Sequence, residues 1–355
     1  MGFNELLQRA TKAKASDIFI ISGEPLSYKK GTSIIAIDTE IVMPESSRAL
    51  VAEAYAAADR DMKILLETGD DDFAVSIKNL ARFRVSSYKQ RSSLAAVIRI
   101  IPFGIPDYKK FNIPETVMEV AEHTKGLVLV TGPAGSGKST TQACIIDRIN
   151  KTREGHIITL EEPIEYLYKN DKSIISQREI SLDTVDYITA LRACLRQSPD
   201  VILLGEMRDF ETIKTAMTAA ETGHLVISTL HTIGSVNTID RIIDIFPPNQ
   251  QQQIRVQLAM LLRSVVSQQL IRTIDGDLIP VFEVMHANSA IRNMIRESKI
   301  HQIESIIGVS SGEGMASMDV SLLELYRAGR ITAETAMRYA LGNEMMAKRI
   351  SAFKG

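Results

Sequence analysis

The chain has 355 residues, 45% of them hydrophobic and 24% charged, which is enough apolar material for about two globular domains. Its formal net charge of −2 gives no electrostatic footprint for nucleic acid, so no nucleic-acid partner is expected. With no signal-peptide pattern, no apolar run near the ~18–20 residues of a membrane span, and two cysteines, Cys144 and Cys194, the chain is expected to be cytoplasmic with free thiols.

The first hundred residues combine strand-like and helix-like patterns. A strand is expected near residues 17–23, and helical spacing runs from residue 46 to residue 66. Three further strand-like runs follow, at residues 73–77, 81–88 and 95–100. Strands with helices laid against them predict a small α+β domain over residues 1–101.

Two arginines of this domain, Arg84 and Arg99, lie in neighbouring predicted strands. Arginines in strands are ordinarily solvated or paired with an acid across the sheet, and that interpretation is open for both. Residues 102–115 then carry three prolines and a glycine, which interrupt helix and sheet alike. A linker is therefore predicted there, and a second domain after it.

A phosphate-binding loop is predicted where this second domain begins. Residues 132–139 fit G-x-x-x-x-G-K-[ST], between an apolar run and a helical pattern, which is the context that the motif requires. Glycines let successive N–H groups point at phosphate oxygens, while Lys138 supplies charge and Ser139 a hydroxyl for Mg²⁺. The candidate nucleotide-binding residues are Gly132, Pro133, Ala134, Gly135, Ser136, Gly137, Lys138, Ser139 and Thr140.

Carboxylates follow the next two predicted strands. Glu161, Glu162 and Glu165 come directly after an apolar run, where α/β sheets place ligand sites, although a solvated acidic turn is the simpler interpretation. Four apolar residues at 201–204 lead through Gly205 to Glu206, a Walker B pattern with glycine at the usual aspartate position. A carboxylate there can orient or deprotonate the attacking water.

Two histidines, His224 and His231, bracket the following strand. A histidine at a strand end is commonly only a polar terminus, but this strand follows the P-loop and Walker B strands, so His231 could reach a γ-phosphate oxygen. The pattern then predicts a long helix over about residues 249–270 and a hairpin turn at Asp275, Gly276 and Asp277. Residues 116–288 are thus interpreted as a P-loop ATPase core.

Residues 289–355 are almost wholly helical by pattern. Within them, residues 290–297 read A-I-R-N-M-I-R-E, with Ile291, Met294 and Ile295 on one helix face and charged residues on the other. An ordinary amphipathic surface helix would show the same spacing.

These blocks together resemble the PilT-type ATPases, the retraction motors of type IV pili within the secretion-ATPase superfamily. The resemblance covers nearly the whole chain and includes the A-I-R-N motif, in which Met294 replaces leucine. It implies a fold of class α/β, with a RecA-like P-loop core, an N-terminal α+β (PAS-like) domain and C-terminal helices. It also implies ATP and Mg²⁺ as ligands.

The resemblance further implies a homohexamer that hydrolyses Mg-ATP to drive pilus retraction and twitching motility. The ring would act at the inner face of the cytoplasmic membrane on the inner-membrane platform protein, with a PilU-like paralogue as a further partner. Glu206 would be the catalytic carboxylate, and His231 would sense the γ-phosphate. Ser139, Glu165 and Glu206 would hold Mg²⁺, in part through water. A neighbouring subunit would supply Arg84 and Arg99 as arginine fingers.

Three alternatives are weighed against this interpretation. A PilU-like accessory retraction ATPase shares the same motifs and stays open. Pilus-assembly and type II secretion ATPases generally carry a four-cysteine zinc element and a longer N-terminal region, which this chain lacks by sequence. A nucleotide-dependent scaffold without hydrolysis is disfavoured because every charged catalytic position is filled.

Overall fold

The computed structural model describes residues 1–31, 33–101 and 103–354, except for the side chain of Lys354. Two compact units are present, Met1–Gly104 and Ile105–Gly355. Pro102, where the predicted linker begins, and Gly355, which ends the predicted C-terminal region, lie outside the described residues. From Ile105 onward the predicted linker belongs to the second unit, because Ile105 and Tyr108 pack against that unit's core.

The first unit is built on a six-stranded antiparallel sheet with three helices. Its strands are β1 (Asp17–Ile20), β2 (Pro25–Lys30), β3 (Ser33–Ile41), β4 (Asp70–Ile77), β5 (Ala81–Gln90) and β6 (Ser93–Ile101), and its helices are α1 (Phe3–Lys12), α2 (Pro44–Ala57) and α3 (Lys63–Thr68). The order in the sheet is β3-β2-β1-β6-β5-β4. The helices and one sheet face share a single apolar core, which includes Leu6, Val51 and Phe83. This is the predicted α+β domain, with β2 and β3 as strands that the pattern did not indicate.

The second unit is organised around a seven-stranded sheet. Its strands are β7 (Gly126–Thr131), β8 (Gly155–Glu161), β9 (Ser173–Glu179), β10 (Val201–Leu204), β11 (Leu225–Leu230), β12 (Leu262–Arg272) and β13 (Leu278–His286). The order is β13-β12-β7-β11-β10-β8-β9, and only β13 runs antiparallel to its neighbour. Because the other strands are parallel, their carboxyl ends share one edge, where ligand sites of such sheets lie.

Helices cover both faces of this sheet, which confirms the predicted α/β class. Up to residue 288 they are α4 (Glu115–Met118), α5 (Lys138–Thr152), α6 (Tyr187–Cys194), α7 (Phe210–Glu221), α8 (Ser235–Asp244) and α9 (Pro248–Leu261). Two apolar clusters, one on each face, bury every residue of β7. Cys144 and Cys194 are buried free thiols in α5 and α6, as predicted.

The predicted helix over residues 249–270 is wrong in its second half. Helix α9 ends at Leu261, and β12 begins at Leu262 with no residue between them. Strand β12 is buried on both faces between β7 and β13, so its apolar residues do not alternate with polar ones. A buried strand without period-two alternation cannot be distinguished from the end of a helix by periodicity. The predicted hairpin turn is confirmed by a 2.8 Å hydrogen bond from Thr273 N to Asp277 O.

The C-terminal part of the second unit is helical, as predicted. Its helices are α10 (Ser289–Arg296), α11 (Ile303–Val309), α12 (Met318–Arg327), α13 (Ala333–Tyr339) and α14 (Asn343–Lys354). Ile291 and Ile295 of α10 are fully buried and Met294 packs beside them, which confirms the predicted apolar face. Of the described residues, none belongs to a helix with both the length and the apolarity to cross a bilayer.

Candidate active site

Four predicted elements meet in one cleft at the carboxyl edge of the second sheet. The P-loop follows β7, the acidic segment follows β8, Glu206 follows β10, and His231 follows β11. The cleft has a volume of about 240 Å³ and is lined by Ala134, Gly135, Lys138, Ser139, Gln142, Glu161, Glu162, Glu165, Tyr166, Tyr187, Gly205, Glu206, Thr229 and His231, among others. Strands far apart in sequence therefore bring these side chains together.

The P-loop backbone requires glycine where it passes β12. Gly132 has φ +144°, and a Cβ there would lie 2.1 Å from the carbonyl oxygen of Gln268. Within the described residues, Ser136 Oγ and Gln142 Nε2 are buried polar atoms without a hydrogen-bond partner. Buried polar groups are seldom left unpaired, so these two donors, one in the loop and one on α5, fit a cleft that receives phosphate oxygens.

Lys138 is held at the centre of the P-loop. Its Nζ donates to the carbonyl oxygens of Gly132 at 2.9 Å and Pro133 at 3.0 Å. Burial lowers the pKa of Lys138, and the carboxylates of Glu206 and Glu165 oppose that shift. The ammonium is thus a desolvated charge beside two acids, in the position from which a P-loop lysine reaches phosphate.

His231 lies between Lys138 and Glu206. Its Nδ1 is 3.5 Å from Lys138 Nζ, and its Nε2 is 3.1 Å from Glu206 Oε1. An ammonium can only donate, so Nδ1 accepts and Nε2 carries the proton that faces the carboxylate. The other oxygen of Glu206 pairs with Arg208 Nε at 2.7 Å. A single histidine tautomer therefore links the lysine to the carboxylate, and Arg208 fixes that carboxylate from its other side.

Close packing explains the glycine at the usual Walker B aspartate position. A Cβ on Gly205 would lie 2.8 Å from the hydroxyl of Tyr187 and 3.2 Å from the carbonyl oxygen of Leu160. The carbonyl of Gly205 also accepts a 2.6 Å hydrogen bond from Thr229 Oγ1. A side chain at position 205 would have to displace the Tyr187 hydroxyl and would also crowd the end of β8, and the charge is carried by Glu206 instead.

The three glutamates at and just after the end of β8 differ in their surroundings. Glu161 accepts a 2.7 Å hydrogen bond from Thr159 Oγ1, and burial raises its pKa to about 7. Glu162 and Glu165 are exposed. The backbone between them and β9 is held by Gln177, whose Nε2 donates to the carbonyl of Tyr166 at 2.8 Å. Glu162 and Glu165 are therefore the carboxylates with the greater freedom to meet a ligand.

The residues of the cleft fit a magnesium ion shared with phosphates. Among the described residues, no cluster of three or more His, Cys, Asp or Glu side chains could hold a metal by itself. Mg²⁺ is ordinarily bound by one or two carboxylates, water and substrate phosphates rather than by an all-protein cage. Ser139, Glu165 and Glu206 offer oxygen ligands in this one cleft.

Three predicted site residues lie elsewhere. His224 is at the opposite end of β11 from His231, where its Nδ1 is 2.9 Å from the carbonyl oxygen of Ala219. Arg84 and Arg99 belong to the first unit, where they are direct cross-strand partners on β5 and β6. Arg99 pairs with an aspartate of β1 at 3.1 Å, and Arg84 with an aspartate of β4 at 3.7 Å: these are Asp17 and Asp72.

Gln268 is a site residue that no sequence pattern indicates. Its Nε2 donates to the carbonyl of Ser136 at 2.7 Å, and its Oε1 accepts from Thr141 Oγ1 at 2.7 Å. It lies on β12, in the segment predicted as helix, so no pattern placed it beside the P-loop. Its two bonds join the loop to the first turn of α5.

Known proteins are similar to this chain in both sequence and fold. Residues 2–303 match the model of the family described as Type II/IV secretion system protein. The chain is 40% identical over 341 residues to the type IV pilus retraction ATPase PilT of Pseudomonas aeruginosa, covering 96% of this chain and 98% of the relative. It is 36% identical over 341 residues to the type IV pilus ATPase PilU of that organism, covering 96% and 89%. The crystal structure of the pilus retraction motor PilT with bound ADP matches with a TM-score of 0.90 and 43% identity, covering 98% of this chain and 99% of that one.

Proposed function

This chain belongs to the family of Type II/IV secretion system proteins, and on that basis we propose that it is an ATPase motor that retracts type IV pili. The observation that carries the proposal is the line of contacts from Lys138 through His231 to Glu206 in the P-loop cleft. A phosphate-binding lysine and a carboxylate that can orient the attacking water are groups that P-loop nucleotide hydrolysis uses, and His231 joins the two. The likeness to a retraction motor with bound ADP supports the same conclusion.

Each residue of the cleft has a defined task in this proposal. The P-loop N–H groups and Lys138 hold the phosphates, and Ser139 and Glu165 would hold Mg²⁺, whose charge would offset that of the phosphates. Glu206 orients the attacking water and accepts its proton. The Nε2 proton of His231, now directed at Glu206, is available to a γ-phosphate oxygen. His231 thereby links the presence of that phosphate to the position of the carboxylate.

The full site is proposed to need a second subunit. Arg84 and Arg99 are cations on one sheet face, where Arg84 pairs with the exposed Asp72 and Arg99, itself 68% exposed, pairs with the more buried Asp17. In a homohexamer of head-to-tail subunits, they would complete the cleft of a neighbour and stabilise charge in the transition state. ATP turnover would then change the angle between neighbours and act on the inner-membrane platform protein at the pilus base.

Replacing Glu206 tests the catalytic assignment. We expect Glu206→Gln to lower the rate of phosphate release by about 10²–10⁴-fold, since a general base is removed, while a fluorescent ATP analogue still binds. Glu221→Gln is the matched control, because Glu221 is an exposed glutamate at the end of α7 outside the cleft. Turnover near the wild-type rate in Glu206→Gln would defeat the mechanism.

The cellular role has one alternative with specific support, an accessory retraction ATPase. The 36% identity to PilU favours it as a second candidate. Deleting the gene and counting surface pili separates the possibilities. Excess surface pili with loss of retraction support the motor, retraction that persists under low load supports the accessory role, and a cell without pili contradicts both.

A further inference from the structure

A buried carboxylate on β13, Glu283, joins the loop that carries His231 to the C-terminal helices. Glu283 is 3% exposed. Its Oε1 accepts a 2.7 Å hydrogen bond from the backbone N–H of Ser235, the first residue of α8. Its Oε2 accepts a 3.4 Å hydrogen bond from the backbone N–H of Met318, the first residue of α12. One side chain therefore holds the starts of two helices that lie about 80 residues apart in the chain.

Helix α8, whose first N–H group donates to Glu283, starts four residues after His231. Between them, the N–H of Gly234 donates to Ser267 Oγ at 2.8 Å. Ser267 and Glu283 are direct cross-strand partners on β12 and β13. The loop after His231 is thus held at its end, because the N–H groups of Gly234 and Ser235 donate to two adjacent side chains of the sheet.

The C-terminal region also touches this loop directly. A Cβ on Gly234, which has φ +85°, would lie 3.3 Å from Leu341 Cδ1, so Leu341 covers the loop. The backbone N–H groups of Leu341 and Gly342 donate to Asp319 at 2.7 and 3.0 Å. Asp319 follows Met318 on α12. The loop is therefore connected to α12 in two ways. Glu283 joins it to Met318, and Leu341 joins it to Asp319.

We propose that Glu283 is a positioning residue that couples the placement of the C-terminal helices to the placement of His231. A displacement of the loop by a γ-phosphate would move the start of α8 and, through the shared carboxylate, the start of α12. By the reciprocity of linkage, a load on the C-terminal helices would shift His231 relative to Glu206 and Lys138. The inference rests on the proposed function and adds a mechanical input to the same site.

Electrostatics favour a carboxylate in this role. The N-terminal end of a helix carries partial positive charge, and a carboxylate between two such ends is stabilised by both. Burial raises the pKa of Glu283, and its backbone hydrogen bonds with Ser235 and Met318 oppose the shift. A glutamine would keep one acceptor oxygen but would present an amide donor to the second backbone N–H.

The test is Glu283→Gln in the full-length protein, with two readouts. We expect kcat for phosphate release to fall on the order of tenfold, with KM within about threefold, because a misplaced His231 affects the transition state more than ground-state binding. Hydrogen–deuterium exchange should rise together in the peptide containing Gly234 and Ser235 and in the peptide containing Met318.

Asn288→Ala is the matched control, because Asn288 also accepts from a helix start, Ile291 N at 3.0 Å, but on α10. It should raise exchange at the start of α10, leave exchange at Gly234 and Ser235 unchanged, and keep kcat within about twofold of wild type. The proposal is overturned if Glu283→Gln lowers kcat no more than this control, or if exchange rises at Met318 and stays unchanged at Ser235.

If Glu283→Gln does not fold, Leu341→Ala gives the same decision. Leu341 is 39% exposed, so its truncation removes the contact with Gly234 without opening the core. A severalfold loss of kcat with faster exchange at Gly234 and Ser235 supports the coupling, and wild-type values of both overturn it. Wild-type protein that releases no phosphate from ATP would defeat the proposed function instead, while the exchange comparison would still test the coupling.

Discussion

At the scale of single residues, Gln268 shows how a remote strand shapes the P-loop. It is 3% exposed and bonds to the loop at Ser136 and to helix α5 at Thr141. Both bonds are buried, so removal of the amide leaves a carbonyl and a hydroxyl without partners. Unpaired buried groups cost more than a simple contact, about 1–3 kcal/mol.

We expect Gln268→Leu to reduce the stability of the protein by about 1–3 kcal/mol and also to weaken ATP binding, because the loop loses its anchor. Gln269→Leu is the matched control. Gln269 is the next residue on β12, and its Nε2 donates at 3.0 Å to the carbonyl of Tyr339 at the end of α13. Denaturant unfolding and titration with a nucleotide analogue measure the two effects. Equal losses of affinity in both variants would show that Gln268 acts through stability alone.

Gly205 allows a second test at this scale. We expect Gly205→Ala to cost about 1–3 kcal/mol of stability and to lower kcat, since the methyl group would overlap Tyr187 and displace Glu206. Adding Tyr187→Phe removes the nearest atom, so the double variant should regain part of both losses. A double-mutant cycle by thermal unfolding and phosphate release gives the coupling. Additive effects would mean that the crowding at Gly205 comes from the backbone of Leu160 instead.

At the scale of elements, His123, which lies just before β7, and His286, at the end of β13, meet at one serine of β12. Ser264 Oγ on β12 lies 3.0 Å from His123 Nε2 and 2.8 Å from His286 Nδ1. Burial, followed by the neighbouring charges of His286, Arg263, Arg153 and Arg292, lowers the pKa of His123 from 6.5 to about 4. Burial also lowers the pKa of His286, while Glu119 and Glu313 oppose the shift.

These lowered pKa values determine how the stability of the protein changes with pH. The unfolded chain binds a proton on His123 below about pH 6.5, and the folded protein does so only near pH 4, so stability falls as the pH is lowered through this range. We expect the wild-type Tm to drop between pH 7 and pH 5 and His123→Gln to flatten that drop. His301→Gln, at an exposed position, should not. Equal slopes in all three proteins would contradict the assignment.

The elements also show how far the sequence could predict this molecule. The P-loop, Glu206 and His231 were predicted together because each follows an apolar strand, and parallel strands end at one edge. Gln268 could not be predicted, because β12 is buried on both faces and has no period to separate it from the helix before it. The edge strand β9, which supplies Gln177 to the acidic segment, carried no clear pattern either. Long-range packing, which local sequence does not record, determined both.

At the scale of the whole molecule, the proposed ring makes each site depend on two chains. Arg99 belongs to the first unit, and Glu206 to the second. If a neighbour supplies Arg99, an Arg99→Ala subunit still has an intact cleft, and a Glu206→Gln subunit still has an intact arginine. Each variant alone should be inactive for a different reason.

We expect mixed rings of Arg99→Ala and Glu206→Gln subunits to recover activity. At equal amounts, roughly one interface in four would pair a working cleft with a working arginine, so phosphate release should approach a quarter of the wild-type rate. The control replaces Glu206→Gln with the double variant Arg99→Ala/Glu206→Gln, with which no interface is complete. Recovery no greater than in this control would mean that the arginine acts within its own chain.

Helix α9 leads directly into β12, so the fold should tolerate no change of length at this junction. One residue inserted between Leu261 and Leu262 would turn every side chain of β12 to the opposite sheet face, because strand side chains alternate. Gln268 would then face away from the P-loop, and Ser267 away from Gly234. At the hairpin tip, residues 274–277 are exposed, so an added residue can loop out there without turning β12 or β13. Natural insertions and deletions are therefore expected to collect at that tip, and the helix-to-strand junction is expected to keep its spacing.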